Sequence, residues 1–281
     1  MVFLALHIAG NAAFLLLVRV ARGRRFDYPL AGLTNYATAA LLAALALFWL
    51  GPPAPDPRAA AFGAANGAQY QVTFILMYAL YGLLGVAVTS SLLRLSIVVP
   101  VLASIVLWGE WPTAAQGLGL LLALGAATLL ISGIGLLAAK AFAELDRPEQ
   151  RPVYVLAVYA VATALGGAAW PWRRRFRERP GAGKPPFGAA GAAPPPGADS
   201  GRGARSLALG ALIGVVNIGQ IWALLPALAQ VPGVLAFPLS AAGGLALATL
   251  GARVLWHERL GRQAALGIGL AMLAAALANI R

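Results

Sequence analysis

The stretch LAGLTNYATAALLAALALFWL (residues 30–50) carries no charged side chain over 21 residues. An α-helix rises 1.5 Å per residue, so about 20 apolar residues cross the hydrocarbon core of a bilayer, which is about 30 Å thick. Residues 30–50 therefore predict a membrane-spanning helix.

Eight further apolar runs resemble this one, at 2–20, 62–84, 86–108, 114–138, 152–170, 206–229, 232–256 and 263–280. Hydrophobic residues make up 60% of the chain and charged residues 11%, whereas soluble proteins carry about 25% charged residues. The runs are continuous, so they lack the alternation of a β-barrel strand. The sequence predicts an all-α, polytopic helical membrane protein with nine helical segments.

The net charge of +12 would suggest a nucleic-acid partner in a soluble protein. Here the basic residues cluster in the breaks between apolar runs, as in Arg22-Gly23-Arg24-Arg25, which is how spanning helices are oriented. We therefore expect a lipid bilayer as partner and no nucleic acid. Cysteine is absent, which excludes disulfides and thiolate metal sites.

Residues 171–205 differ in kind, because they contain seven prolines and eight basic residues. This composition predicts a disordered linker. Its basic start is either an orienting anchor or a contact for anionic lipid. The expected organisation is a first transmembrane repeat (1–138), a connector with one apolar helix (139–170), the linker (171–205) and the remainder of a second repeat (206–281).

An internal repeat links the two halves. Leu107 to Ile131 and Leu255 to Asn279 align without gaps, with 10 identical residues in 25 positions, including a Trp-x-Glu and a later glycine. Each half also places a proline in an apolar helix, Pro100 and Pro238. Interrupted helices in corresponding positions point to a transporter's midplane site, so we expect both prolines to act as hinges.

The run Ser90-Ser91-Leu92-Leu93-Arg94 to Pro100, the Leu107-Trp108-Gly109-Glu110 segment, and the segments 214–217, 232–239 and 257–259 together resemble the EamA-type permeases of the drug/metabolite transporter superfamily. The resemblance implies ten helices in two inverted five-helix repeats around a cavity for a small metabolite. It also implies a multi-pass protein of the bacterial inner membrane, with a small-molecule solute as partner, proton coupling as one option, and a homo-oligomer left open. The second repeat should supply five spans, but only 152–170 precedes the linker and three runs follow it, so the family's seventh helix is expected to be missing.

The basic clusters give a separate expectation for topology. Nine crossings would place the linker and the last hairpin opposite the earlier clusters, whereas eight would place every cluster on one side. The charge pattern favours eight crossings, with 152–170 in the interface or re-entrant, or ten in an intact ancestor. An apolar segment as long as 152–170 is nevertheless able to cross.

Polar residues inside the spans are the candidates for a solute site, because unpaired polar groups are costly in hydrocarbon. We predict substrate binding by Asn11, Asn35, Tyr36, Asn66, Tyr70, Thr73, Tyr78, Arg94, Asn217, Gln220 and Trp222. The spacing of Asn66, Gln69 or Tyr70 and Thr73 places them near one helix face. For each residue the alternative is a hydrogen bond that holds two helices together.

Enzymatic chemistry is not expected. The nine acidic residues lie at or near loop ends, so no span contains paired carboxylates, and metal-ligand spacing is absent. We therefore expect no catalytic residues, no metal and no cofactor. An imidazole in water titrates near neutral pH, so His7 would suit a proton relay, although an interfacial role is the simpler interpretation. The expected function is a small-metabolite permease, and the alternative is a non-transporting family member or a membrane assembly protein.

Overall fold

The computed structural model describes residues 1–21, 26–51, 54–74, 98–109, 130–172 and 201–256. Every regular element in these ranges is helical. The α-helices are α1 (Val2–Ala21), α2 (Tyr28–Leu50), α3 (57–74), α4 (Val98–Trp108), α5 (Leu130–Ala143), α6 (Arg151–Ala168), α7 (Arg202–Gln230) and α8 (Gly233–Trp256), with short 3-10 turns at Pro148–Gln150 and Trp170–Trp172.

Five helical stretches in the described part are long and apolar enough to span a membrane: Val2–Ala21, Tyr28–Leu50, Pro148–Ala168, Arg202–Gln230 and Gly233–Leu255. Large apolar side chains also face outward, and Phe48 and Trp49 are each 80% exposed. Outward apolar surface of this kind is what a lipid environment requires. The predicted all-helical class of membrane protein is confirmed at this level.

Local sequence sets the helix boundaries. Asp27 caps α2, because its carboxylate accepts the backbone N–H of Leu30 at 3.2 Å, and Gly51 ends the helix in the left-handed conformation at φ 53°. Asp56 caps α3 in the same way, accepting the N–H of Arg58 at 2.8 Å. Capping satisfies backbone donors that a helix leaves unpaired at its start.

The bundle has two chemically different ends. At the arginine end (Phe26–Tyr28, Arg202–Ser206 and Arg253), the Arg202 guanidinium donates to the carbonyl of Phe26 at 3.0 Å. The N–H of Asp27 donates to the Ser206 hydroxyl at 2.7 Å. These contacts join the start of α7 to the start of α2.

At the mixed-charge end (Ala54–Arg58 and Lys140–Arg151), the Gln150 side chain accepts the N–H of Asp56 at 2.9 Å and donates to the carbonyl of Ala54 at 3.3 Å. Arg147 forms an ion pair with Asp56 at 3.1 Å. The loop between α2 and α3 is therefore tied to the loop between α5 and α6.

Helix α6 runs from one end to the other. It starts beside Gln150 at the mixed-charge end, and Gly166 near its other end lies against Leu33 and Gln71, close to the start of α2. This path is that of a crossing helix and not that of the interfacial segment in the eight-crossing prediction, and the helix is long and apolar enough to span a membrane. The number of crossings itself stays a prediction.

The ends of α4 and α5 lie at the same side of the bundle, because Lys140 Nζ lies 5.9 Å from the centroid of the Trp108 ring. Of the predicted span at 114–138, residues 130–138 belong to α5, and the rest lies outside the described residues.

The predicted linker (171–205) overlaps the first residues of α7. Helix α7 begins at Arg202, four residues before the expected start of the next run at 206. The reason is tertiary, because Arg202 and Ser206 both bond the α1–α2 loop. Pro171 and Trp172 at its other end belong to a 3-10 turn.

Helix α7 lies at the centre of the described bundle. It packs against α1 and α2, while α1 also packs against α8, α2 against α6, and α4 against α5 and α8. The core contains the fully buried side chains Tyr154, Tyr159, Ile221, Leu225 and Phe237.

Candidate functional site

Two helix pairs, α2–α3 and α6–α7, make the same glycine contacts with each other. Gly63 and Gly67 of α3 lie directly against the backbone carbonyls of Tyr154 and Val158 on α6. Glycines four residues apart allow backbones to approach closely inside a membrane. A side chain at either position would overlap the α6 backbone.

The matching contacts occur between α7 and α2. Gly210 and Gly214 of α7 lie against the carbonyls of Ala31 and Asn35 on α2. Each α6 position is 123 residues after its α2 counterpart, and each α7 glycine is 147 residues after its α3 counterpart. The second helix of each pair thus packs on the first helix of the other pair.

Two phenols continue the correspondence. The Tyr36 hydroxyl of α2 donates to the carbonyl of Tyr70 on α3 at 3.4 Å. The Tyr159 hydroxyl of α6 donates to the carbonyl of Asn217 on α7 at 2.9 Å. The same offsets of 123 and 147 residues relate these positions. The helix pairs α2–α3 and α6–α7 run in opposite directions through the bundle, because α2 and α7 start at the arginine end while α3 and α6 start at the mixed-charge end.

A chain of amides crosses between α2 and α7. Gln220 Nε2 donates to Asn217 Oδ1 at 2.8 Å, and Asn217 Nδ2 donates to Asn35 Oδ1 at 3.1 Å. Asn35 and Asn217 are buried, whereas Gln220 is partly exposed. Because the two asparagines pair with each other, Gln220 is the member of the chain with surface left for another ligand.

A second polar group lies on α3, next to α5 and α6. Asn66 Nδ2 donates to the Tyr154 hydroxyl at 2.7 Å, and Gln69 Nε2 donates to Thr73 at 2.6 Å. The side-chain oxygens of Asn66 and Gln69 both lie against Gly135 of α5. The predicted face of α3 is therefore confirmed for Asn66 and Gln69, and it contacts α5.

Aromatic rings fill the space between the two polar groups. The Tyr70 ring lies 6.3 Å from Tyr36 and 6.2 Å from Tyr159. Phe74 stacks on Tyr28 at 5.1 Å and also occupies the notch left by Gly32. Tyr70 thus faces α2 and α6, and Asn66, one turn earlier on α3, also contacts α6.

The other predicted residues are more scattered. Asn11 lies against Gly244 of α8, and Trp222 is partly buried against the core. Tyr78 and Arg94 lie outside the described residues. Helix α8 continues through Pro238, and Pro100 lies within α4. The structure therefore brings together Asn35, Tyr36, Tyr70, Asn217 and Gln220, with Asn66 and Thr73 on the neighbouring face.

Sequence reasoning missed Tyr154 and Tyr159, because 152–170 was treated as an apolar connector helix. A signal was present: α2 and α6 share a proline in the first turn and a tyrosine seven residues later, at Pro29 and Pro152 and at Tyr36 and Tyr159. Pro226, inside α7, was also missed.

The chemistry of these groups is uncharged. Amides and phenols donate and accept hydrogen bonds, and aromatic faces bind planar or apolar parts of a solute. Within the described ranges, charged side chains lie near helix ends and no group of His, Asp and Glu is arranged to hold a metal ion. The arrangement suits binding of an uncharged or zwitterionic solute.

No protein-family model matches the chain, and no curated protein matches it. Among solved structures, a crystal structure of a protein is similar over 98% of both chains, with a TM-score of 0.64 and 19% sequence identity. At this identity the likeness shows the fold alone. The chain therefore shares its overall helical arrangement with a known structure across nearly its whole length.

Proposed function

We propose that the protein is a membrane transporter of a small organic solute, of the EamA type, that works by alternating access between two inverted repeats. The supporting observation is the pair of matched contact sets that α2–α3 and α6–α7 make with each other in opposite directions. Inverted repeats of this kind place a solute site where the two halves cross.

The same offsets support a new count of helices. A shift of 123 residues carries α1 onto residues 125–144, which include α5, and it carries α2 onto α6. A shift of 147 residues carries α3 onto α7, and the Leu107 and Leu255 segments differ by 148. In this proposal the second repeat begins at α5, and the seventh helix of the family is α6, so no helix is missing.

The proposed site lies between the phenols of Tyr36 and Tyr159 and the amide of Gln220. Every group there is neutral, and the described charges are near the helix ends. A buried charged solute would need a counter-charge to offset its desolvation. We therefore propose a neutral or zwitterionic solute with several hydrogen-bonding groups.

The charge distribution supports an orientation in a bacterial inner membrane. Among the described residues, the arginine end and the adjoining helix ends carry Arg19, Arg202, Arg205 and Arg253 against Asp27. The mixed-charge end carries four basic and four acidic residues, the basic ones being Arg58, Lys140, Arg147 and Arg151. The positive-inside rule counts lysine and arginine and not net charge. The sequence that joins α1 to Phe26 adds Arg22, Arg24 and Arg25 to the four arginines at this end, so we propose that the arginine end faces the cytoplasm.

One observation favours a second candidate, a non-transporting membrane protein. The buried amides pair with partners inside the bundle, Asn35 with Asn217 and Asn66 with Tyr154. Such pairs also hold helices together without any solute. The two candidates differ in what they predict for solute release. A transporter releases solute and needs Gln220 for it, whereas a non-transporting protein releases none.

The test is release of solutes from liposomes. Purified protein is reconstituted into liposomes loaded with a bacterial metabolite extract, and the solutes that leave are identified by mass spectrometry. Transport predicts faster release of a small set of neutral or zwitterionic compounds than from protein-free liposomes. Gln220→Ala should lower that release at least tenfold, whereas Val215→Ala, on the exposed face of α7, should not change it. Release equal to protein-free liposomes would favour the second candidate.

A further inference from the structure

His7 is a buried imidazole in α1, with 7% of its surface exposed. Its Nδ1 lies 2.8 Å from the backbone carbonyl of Gln220. A carbonyl oxygen only accepts hydrogen bonds, so Nδ1 carries the proton and the imidazole is the donor. Nε2 of the neutral ring then holds a lone pair that is able to accept a second proton.

This hydrogen bond connects α1 to the backbone of Gln220, whose side chain begins the amide chain. The Gln220 side chain donates to Asn217, which donates to Asn35. One turn after His7, Gly10 packs so closely on Gln220 that an added Cβ would lie 3.0 Å from the Gln220 Cβ. A displacement of α1 relative to α7 must therefore disturb both His7 and Gln220.

The charged groups on the helices packed around His7 are distant. On α1, Arg19 lies 12 residues further along, which is about 18 Å at 1.5 Å per residue. On α7, Arg205 is 15 residues before Gln220, about 22 Å. On α8, Gly244 lies against Asn11, one turn after His7, and Arg253 is nine residues beyond Gly244, which is about 14 Å.

The nearest titratable groups are of two kinds. The α-amino group of Met1 lies at the mixed-charge end of α1, six residues before His7, and the Tyr159 phenol reaches α7 at Asn217. No carboxylate of the described residues on α1, α7 or α8 faces the ring. An imidazolium at this position has no described counter-ion, so it requires water to be stable.

We propose that His7 is the proton-coupling residue of the transporter: its Nε2 takes a proton when water reaches α1 from the mixed-charge end, and releases it when α1 closes on α7. The proposal rests on the proposed function. Protonation converts the Nδ1–H bond to Gln220 into a charge-assisted one, so the proton state of His7 is coupled to the position of Gln220.

The protonation state of His7 is measured by nitrogen-15 NMR on the protein in nanodiscs. The chain has two histidines, so His257→Asn leaves His7 as the sole imidazole. The spectrum is followed from about pH 9 to about pH 4, and the expected result is a neutral Nδ1–H ring at the start of this range and a doubly protonated ring at its end. A ring that stays neutral across this range would overturn the proposal.

The coupling of solute release to a pH gradient is measured in the liposome assay, with the solutes that the wild-type protein releases. A pH gradient should accelerate wild-type release about tenfold over release at equal pH. In His7→Asn, whose amide keeps a donor near the Nδ1 position, the ratio of the two rates should fall to about 1. A ratio that stays near ten in His7→Asn would contradict the assignment. His257→Asn is the matched control and should keep the wild-type ratio.

The two proposals fail in different ways. If the wild-type protein releases no solute, the proposed transport function fails, and the NMR titration still decides whether His7 accepts a proton. If the protein releases solute and His7 does not titrate, transport stands and the coupling residue is wrong.

Discussion

Asn217 donates its side-chain amide to the side-chain oxygen of Asn35 at 3.1 Å, although 182 residues separate them in the chain. The contact joins α7 to α2 at the point where Gly214 lets the two backbones meet, because Gly214 lies on the carbonyl of Asn35. Close packing and polar pairing therefore occur at one point, and both depend on the helices keeping the same register.

Substitution of Gly214 should destabilise the bundle strongly. Gly214→Val forces a side chain into the α2 backbone, and we expect a loss of about 2–3 kcal/mol in the free energy of unfolding. Gly219→Val on the same helix is the control, because nothing lies within 4 Å of that position. Thermal unfolding in detergent measures both variants, and equal midpoints would show that the α2–α7 contact is wrong.

The Asn35–Asn217 pair should show energetic coupling. Asn217→Ala leaves the oxygen of Asn35 and the amide of Gln220 without their partner, which costs about 1–2 kcal/mol. A double-mutant cycle with Asn35→Ala measures the interaction itself. We expect the double variant to be less destabilised than the sum of the single ones, and strict additivity would contradict the pairing.

The hydrogen bonds that the two phenols donate should contribute differently to stability. Tyr159→Phe removes a 2.9 Å hydrogen bond to Asn217, and Tyr36→Phe removes a 3.4 Å bond to Tyr70. Longer hydrogen bonds are weaker, so we expect about 1 kcal/mol for Tyr159→Phe and a smaller loss for Tyr36→Phe. Chemical denaturation of both variants in one detergent compares them, and the reverse order would refute the geometry.

Asp56 should contribute more to the free energy of unfolding than its ion-pair partner Arg147. Asp56→Ala removes the cap of α3 as well as the pair with Arg147, for a loss of about 1–2 kcal/mol. Arg147 is 53% exposed, so Arg147→Ala should cost less than about 0.5 kcal/mol. If unfolding experiments gave the two variants equal losses, the ion pair and not the cap would be the main contribution.

The orientation is testable because the chain lacks cysteine. Glu149→Cys at the mixed-charge end should react with a membrane-impermeant thiol reagent added to intact cells. Gly201→Cys at the arginine end should react only after the cells are permeabilised. Both positions are exposed in the structure. Labelling of both from the same side would show that α6 does not cross.

Part of the site was predictable because membrane burial restricts polar residues so severely. Asn35, Asn217 and Gln220 stand out in apolar runs, and they do come together. Tyr159 did not stand out, because a tyrosine is common in an apolar helix and its hydroxyl finds a backbone carbonyl that has no sequence signature. The face of α3 that carries Asn66 and Gln69 was predictable from helical spacing, whereas its partner Gly135 was not.

The sequence by itself determined that the chain forms apolar helices long enough to cross a bilayer, since hydropathy and helix length are local properties of each run. It also determined where α2 and α3 begin, through the caps Asp27 and Asp56. Only the tertiary structure decided that α6 crosses the bundle, that Lys140 returns to Trp108, and that α2–α3 and α6–α7 exchange matched contacts. The matched contacts depend on which glycines meet which carbonyls between residues more than 80 positions apart, and the local sequence of a helix rich in alanine, leucine and glycine does not specify its partner.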